Sequence, residues 1–529
     1  MIRISGLRLP LEADPDQVRR SIGRLLGLPG SRLGNWRLVR RSVDARRRGP
    51  VAVVWTVDVE VPDEEAVLRR AGPGVARTPE ARYRPPDPGP EVLPCRPVIL
   101  GTGPAGLFAG LLLAEAGFRP LLLERGDAVD ERVRAVSRFW SSGTLDPESN
   151  VQFGEGGAGT FSDGKLTTRI QDPRCSYVLE AMVQAGAPPE VQWSWQPHVG
   201  TDRLREVVRN LRERLVRLGA EVRFRHKVTD LVVAGDRVRG VLVQEGETLP
   251  CEVLVLAPGH SARDTFEMLA RRGVPLLPKP FAAGVRIEHL QGAIDRARWH
   301  DLAGHPALGA ASYNLVWQAP SGRGCYTFCM CPGGQVVAAC SEPGGVVTNG
   351  MSLHARNGRN ANAGLVVQVR PEDFEEPSWR GAVAFQRRLE QAAFQAGGGG
   401  HRAPAQRVGD FLARRRSESF GAVQPTFSRG VEPASLDEVL PGWLSDHLRE
   451  AILALDGQMR GFGDPDAVLT GVETRTSSPV RIPRDEQGES PLKGLFPAGE
   501  GAGWAGGIVS AAVDGLRIAE AILRRYRPS

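Results

Sequence analysis

Apolar residues recur along this chain with more than one period, and each period predicts a different element. Near the start, Ile2-Arg3-Ile4 opens a strand and Asp16 to Leu26 has helical spacing. Arg37 to Val43 reads as a strand, Val51 to Val61 alternates strongly, and a short helix follows Pro62. Residues 1–75 therefore predict a small α/β unit. Residues 76–96 hold Pro79, Pro85, Pro86, Pro88, Pro90 and Pro94, which predicts an extended linker. Val98 to Leu100 is then a short apolar run of the buried-strand kind, followed by a helix, Pro104 to Ala116, apolar almost all round. Gly117 ends that helix and Phe118 to Leu123 is the next strand. Leu204, Val207, Val208, Leu211, Leu215 and Leu218 line one face of a helix that leads to the strand Glu221 to Arg225. Val228 to Glu252 alternates like an antiparallel meander, Val253 to Leu256 is another buried strand, and Ile508 to Leu523 is a strong helix. Residues 266–465 are expected as an insertion, with strands at Tyr313 to Trp317, Cys325 to Cys331 and Gln335 to Ser341 and a flexible Gly397 to Gly400.

Two glycine-rich segments punctuate this pattern. The first, Gly101-Thr102-Gly103-Pro104-Ala105-Gly106, joins a strand to a helix. Gly101 permits the tight turn, Gly103 lets backbone approach a pyrophosphate, and Gly106 lets helix and sheet pack closely. The helix N-terminus would hold phosphate charge. Glu124 ends the second strand, placed for ribose hydroxyls, and Arg125 and Gly126 follow it. The second segment runs from Gly494 through Gly499, Glu500, Gly501 and Gly503 to Gly506-Gly507. The helix beginning at Ile508 would point its positive end at the ring system of a flavin. A third run, Phe153 to Lys165, is rich enough in glycine to pass close to a flat ring. In this order the segments read as one FAD site divided between the two ends of the chain. The residues expected along the cofactor are Gly101, Gly103, Pro104, Ala105, Gly106, Glu124, Arg125, Gly157, Gly159, Thr160, Val228, Ala257, Gly259, Gly499, Glu500, Gly506, Gly507 and Ile508.

Gly101 to Gly106, Glu124-Arg125-Gly126, Leu254 to Gly259 and Gly494 to Gly507 resemble the recurrent motifs of the glutathione-reductase-type FAD superfamily. Longer strings are similar to a largely uncharacterised family of bacterial and plastid FAD-dependent dehydrogenase-like proteins. They are Asn150 to Leu166, Cys329 to Gly334, Thr348 to Ser352 and Glu473 to Arg481. The resemblance implies an α/β fold. It would have a Rossmann-like FAD-binding domain built from residues 97–265 and 466–529, an inserted α+β substrate domain at 266–465, and the small N-terminal α/β domain. It implies FAD as cofactor and leaves the substrate open. Many members of the superfamily carry Asp where this chain has Glu500.

Composition adds little to the fold and more to the chemistry. The formal net charge is +6, and of 67 basic residues the lysines are Lys165, Lys227, Lys279 and Lys493. An arginine excess of this kind points to genomic base composition before nucleic acid. The cluster Arg40, Arg41, Arg46, Arg47 and Arg48 leaves RNA or an acidic partner as a second reading. No early apolar stretch resembles a signal peptide and no run approaches a membrane span, so a cytoplasmic protein is expected. Cys325, Cys329, Cys331 and Cys340 crowd one region in a spacing unlike zinc knuckles, and no metal site is expected. An expected hairpin turning at Pro332-Gly333-Gly334 would set Cys325, Cys329 and Cys331 on one face, with Cys340 across from them. Buried structural thiols, a redox role beside the flavin, and metal binding are the three readings of that cluster, in that order.

Lys165, in the glycine-rich run, and His260, just after Ala257-Pro258-Gly259, are the candidate catalytic residues. Glu473 and Arg475 suggest a buried ion pair or a grip on an anionic substrate group. No second strand-linked GxGxxG is present, so a built-in NAD(P)H domain is not expected. The sum is a FAD-dependent oxidoreductase passing hydride between a small organic substrate and flavin N5, with external NAD(P)H or another carrier completing the cycle. A flavin-dependent RNA-modifying protein and an assembly protein with structural FAD are the alternatives.

Overall fold

The computed structural model describes residues 1–45, 51–79, 83–244 and 246–529. Three main sheets organise it. The first is N-terminal and four-stranded, in the order Trp36–Asp44, Ala52–Val59, Ile2–Leu9, Val75–Arg77. Helix Pro15–Leu26 starts with a capping box in which Asp14 accepts from the Gln17 amide and Gln17 reaches back. Its buried Val18 and Ile22 pack with Ile2, Ile4, Val57 and Val59 into a core drawn only from this part of the chain. The unit closes with Val75–Arg77, past the expected end at residue 75, because the outer strand pairs with Ile2–Ile4.

The proline-rich segment is not a free spacer. Tyr83 donates its hydroxyl hydrogen to Glu520 at 2.9 Å and meets the Tyr177 ring edge-on, and Glu91–Val92 pairs in parallel with Tyr526–Arg527. The segment is thereby strapped along the C-terminal helix.

The second sheet is parallel throughout, in the order Leu495–Pro497, Leu254–Leu256, Val98–Leu100, Leu121–Leu123, Glu221–Arg223. Its strands are apolar on both faces because both faces are covered. Ile99, Leu122, Val255 and Phe496 point into the core under helices Pro104–Glu115, Thr201–Arg217 and Ile508–Arg525. The alternate residues Val98, Leu121, Leu123, Leu254, Leu256 and Leu495 face the other core. That core lies beneath the meander Val228–Ala234, Arg237–Val243, Thr248–Pro250.

The third sheet has seven strands, in the order Val316–Gln318, Gly324–Cys331, Asn360–Val369, Phe281–Leu290, Val468–Glu473, Ala403–Arg407, Val431–Pro433. All neighbours are antiparallel except the last pair. Val468–Glu473 lies deep in this sheet, so the chain does not return to the parallel sheet at residue 466. It returns at Leu495–Pro497. The expected hairpin at Pro332-Gly333-Gly334 also does not form. Gln335–Ala338 pairs with Thr348–Met351, while Gly324–Cys331 pairs with Val316–Gln318 and Asn360–Val369. Cys340 is consequently carried away to His401, whose Nδ1 lies 3.4 Å from its sulfur. Among the described residues no helix is long and apolar enough to cross a membrane.

Candidate active site

A cleft of about 1750 Å³ opens where the C-terminal ends of the parallel strands meet the seven-stranded sheet. This is the position where open parallel sheets bind ligands. Leu100, Gly101, Gly103, Leu123, Ala257 and Ala498 line it from one side, and Tyr326, Cys329, Thr348 and Glu473 from the other. Two helices begin at its wall, Pro104–Glu115 after Gly103 and Ile508–Arg525 after Gly507, and neither has a side-chain cap. Their first amides are therefore available to an anion or an electron-rich ring edge.

The glycines divide by task. Gly101 has φ of 95° and an added Cβ would lie 2.3 Å from the Ala257 carbonyl oxygen. Gly106 is packed, not exposed to the cleft: a Cβ there would lie 2.0 Å from the Gly101 carbonyl oxygen. Gly499 is likewise behind the wall, donating its amide to Asp514 at 2.7 Å, with an added Cβ 2.6 Å from that of Ala105. Gly259 and Gly506 are different, because a Cβ at either would meet no protein atom within 4 Å. Gly103, Gly157, Gly159, Gly259, Gly506 and Gly507 all present bare backbone along the cleft. A long cofactor with a diphosphate and a flat ring system fits such a wall: side-chain-free backbone admits the rings, and uncapped N–H groups suit the phosphates.

Glu124 borders the cleft, but its oxygens already accept from four protein donors. These are the Thr102 amide (3.0 Å) and hydroxyl (2.7 Å), the Gly126 amide (3.0 Å) and the Gly154 amide (3.1 Å). In this arrangement it ties the two glycine-rich loops together. Arg125 stacks over Phe153 and pairs with Glu148 at 2.7 Å and Asp264 at 2.9 Å. Thr160 is fully buried away from the cleft. Its hydroxyl donates to Glu155 O and its carbonyl accepts from Thr201. Pro104, Ala105, Val228, Ala257, Glu500 and Ile508 do line the cleft.

Lys165 and His260 both border the cleft as well. The Lys165 ammonium donates to the Met330 carbonyl, which ties the glycine-rich run to the seven-stranded sheet. His260 shares a 2.9 Å hydrogen bond with Ser261, and burial pushes its imidazole down to about 4, aided by Arg475, Arg263 and Lys279. It is neutral at pH 7. Burial pushes the Glu500 carboxyl up to about 7, against the pull of Lys279. Lys279 itself is pushed down by burial.

Glu473 and Arg475 do not pair with each other. Glu473 holds Arg286 through bonds of 2.6 and 3.0 Å and accepts from Thr348 at 2.8 Å. Arg475 shares Glu390 with Arg263 in a fully buried cluster. Residues two apart on a strand share a face, but Glu473 ends its strand, so Arg475 is not held to the face of Glu473. Sequence reading missed Arg132. It is fully buried and donates to the carbonyls of Asn150, Val151, Gly154, Glu155 and Gly157. The signal was a charge on the inward face of Val129–Ser142, one turn from Val129 and Val136. At the rim, Trp193 and Trp195 pair with Arg41 backbone at 2.7 and 2.9 Å, and Arg40 stacks over Trp195. Arg46, Arg47 and Arg48 lie outside the described residues.

Residues 171–300 match the model for "FAD dependent oxidoreductase", residues 280–476 that for "FAD-dependent protein, C-terminal domain-like", and residues 1–60 a domain of unknown function. Among solved structures, the chain is similar to glycine oxidase from Bacillus cereus: 12% identity, TM-score 0.31, covering 81% of this chain and 94% of that one. It is also similar to glycerol-3-phosphate dehydrogenase from Bacillus halodurans complexed with FAD: 11% identity, TM-score 0.34, covering 82% and 64%. Parallel sheet, cleft and family matches together define a flavoprotein, a FAD-dependent oxidoreductase with a Rossmann-like FAD-binding fold. More particularly, the chain belongs to the family of an uncharacterized protein from Clostridium beijerinckii, with 46% identity over 528 residues and 99% coverage of both chains.

Proposed function

We propose that this oxidoreductase acts on a small organic molecule carrying an anionic group, bound in the cleft between the parallel sheet and the seven-stranded sheet. Bound FAD supplies two-electron chemistry by accepting or giving hydride at N5. The observation that carries the substrate class is the placement of two lysines. Lys227 and Lys493 close ion pairs, whereas among the described residues no carboxylate lies within ion-pair distance of Lys165 or Lys279. Both line the cleft. Two ammonium groups on the cleft wall that close no ion pair favour an anionic ligand, which would offset their desolvation.

Proton handling falls to residues of the same wall. His260 is neutral at pH 7 and can accept a proton through the nitrogen not engaged by Ser261. Glu500, with its carboxyl pushed up to about 7, holds or releases a proton near neutrality. Electrons would enter or leave through external NAD(P)H or another carrier at the cleft mouth. Anaerobic stopped-flow spectroscopy tests this reading by following the flavin bands on addition of NADH, NADPH and a panel of small carboxylates and amines. Bleaching by a nicotinamide or by an anionic metabolite supports it. A flavin that dithionite bleaches but no such compound touches sinks it.

A further inference from the structure

The strand Gly324–Cys331 carries two cysteines whose local backbone is irregular. Phe328 pairs with Gly364 and Cys331 with Asn362, so this strand holds one residue more than its partner over that interval. The extra residue is accommodated at Cys329, which has φ of 43°, a left-handed conformation that disfavours a residue with a Cβ. The bulge turns the Cys329 and Met330 carbonyls toward cations: Arg286 donates to the first at 3.2 Å, and Lys165 to the second. It also turns the second thiol back: Cys331 Sγ donates to the Cys329 carbonyl oxygen at 3.3 Å, which keeps its sulfur beside Cys329. Cys331 is buried, whereas Cys329 is half-buried and opens onto the flavin cleft.

We propose that Cys329 and Cys331 form a redox-active dithiol, oxidised to a disulfide by transfer of two electrons to FAD bound in the same cleft. The surroundings divide the labour between the two sulfurs. The neighbouring Cys331, with Lys165 and Arg286, draws the Cys329 thiol down, while Cys331 itself is held up. Cys329, which opens onto the cleft, is the sulfur favoured as thiolate, as a reactive cysteine requires. The step balances on these groups. One thiolate and one thiol form one S–S bond and release two electrons and one proton, the amount that takes oxidised FAD to its anionic reduced form. The reverse step lets reduced flavin regenerate the dithiol. The other cysteines of this region take no part: Cys325 lies against the His447 carbonyl, and Cys340 against His401. The pairing differs in spacing from the CxxC of disulfide oxidoreductases: residues two apart share one face of a strand, and here the bulge lies at the first of them.

The test is an anaerobic dithionite titration of the FAD-loaded full chain after diamide treatment and desalting, with alkylation of free thiols at each point and peptide mapping. The expected result is uptake of about four electrons per flavin, with Cys329 and Cys331 becoming alkylatable in step with the titration, against about two electrons in Cys331→Ser. Before reduction, the peptide holding both cysteines should be about 2 Da lighter than its reduced form. Uptake of about two electrons by the wild type, with both cysteines alkylated after diamide, overturns the proposal. So does a disulfide that persists while the flavin is fully reduced, because electrons then do not pass between them. The wild-type map and titration decide the matter even if Cys331→Ser fails to bind FAD.

Discussion

Glu390 shows how single residues set this protein's response to pH. It is buried and accepts from Arg263 and Arg475 at 2.8 to 3.1 Å and from Thr474 at 2.8 Å. Burial alone would raise its carboxyl, but the two guanidinium groups win and hold it well below the usual carboxylate range. Above pH ~4.3 the group is ionised both folded and unfolded, and its contribution to stability is complete. As pH falls below that value the unfolded chain takes up a proton that the folded chain refuses, and stability drains away. Glu390→Gln should cost about 3–5 kcal/mol near pH 7, because it leaves two buried cations short of a counter-charge. The gap between variant and wild-type urea midpoints should narrow from pH 7 to about pH 3. An equal gap at both pH values would show that the carboxylate's charge is not what matters. Glu500 behaves in the opposite sense. Its carboxyl is raised to about 7, so its contribution is full in acid and is lost as pH rises through neutrality. Glu500→Gln should remove a step near pH 7 from the pH profile of flavin reduction while leaving FAD bound.

At the scale of elements, the strand–turn–helix that begins at Val98 contains glycines with separable duties. An added Cβ at Gly106 strikes the Gly101 carbonyl, whereas at Gly103 its nearest neighbour is Gly157 Cα at 3.8 Å, an ordinary contact. Gly106→Ala should therefore lower stability by about 1–3 kcal/mol whether or not FAD is present. Gly103→Ala should leave the apoprotein's melting temperature nearly unchanged and weaken FAD retention, because the methyl group intrudes where cofactor approaches backbone. Melting curves with and without FAD separate the two. If both variants lose only FAD affinity, helix and sheet are not packed as closely as the contact implies. The same element shows what its register leaves out of the surroundings of Glu124. Strand, helix and second strand in register place an acid at the strand end. That register does not reveal that Thr102, Gly126 and Gly154 occupy its oxygens.

At the scale of the whole molecule, the N-terminal unit is a separate body in its packing yet part of the cleft's rim. Its core contains only its own residues, while its outer strand Trp36–Asp44 meets Trp193 and Trp195 through backbone bonds. Val39 and Arg40 border the cleft. Removing residues 1–77 should therefore leave the other two sheets folded and FAD bound, but raise the rate at which iodide quenches flavin fluorescence severalfold. Unchanged quenching would mean that the unit does not shield the ring.

Local patterns in the chain were enough for four of the five parallel strands, the two helices that follow glycine turns and the FAD assignment, because each depends on contiguous residues: an apolar run, a glycine turn, a helix. They were also enough to place Lys165, His260 and Glu500 beside the cofactor region, since each sits within a few residues of a glycine motif. Tertiary structure decided what contiguous residues cannot encode. Pairing across long separations sent Val468–Glu473 into the seven-stranded sheet and carried Gln335–Ala338 off to Thr348–Met351. It gave Glu473 and Arg475 different partners from distant elements. It buried Arg132 among five carbonyls, and it inserted the bulge that brings Cys329 and Cys331 together. These outcomes turn on which strand edge or counter-charge is nearest in space, and no spacing along the chain carries that information.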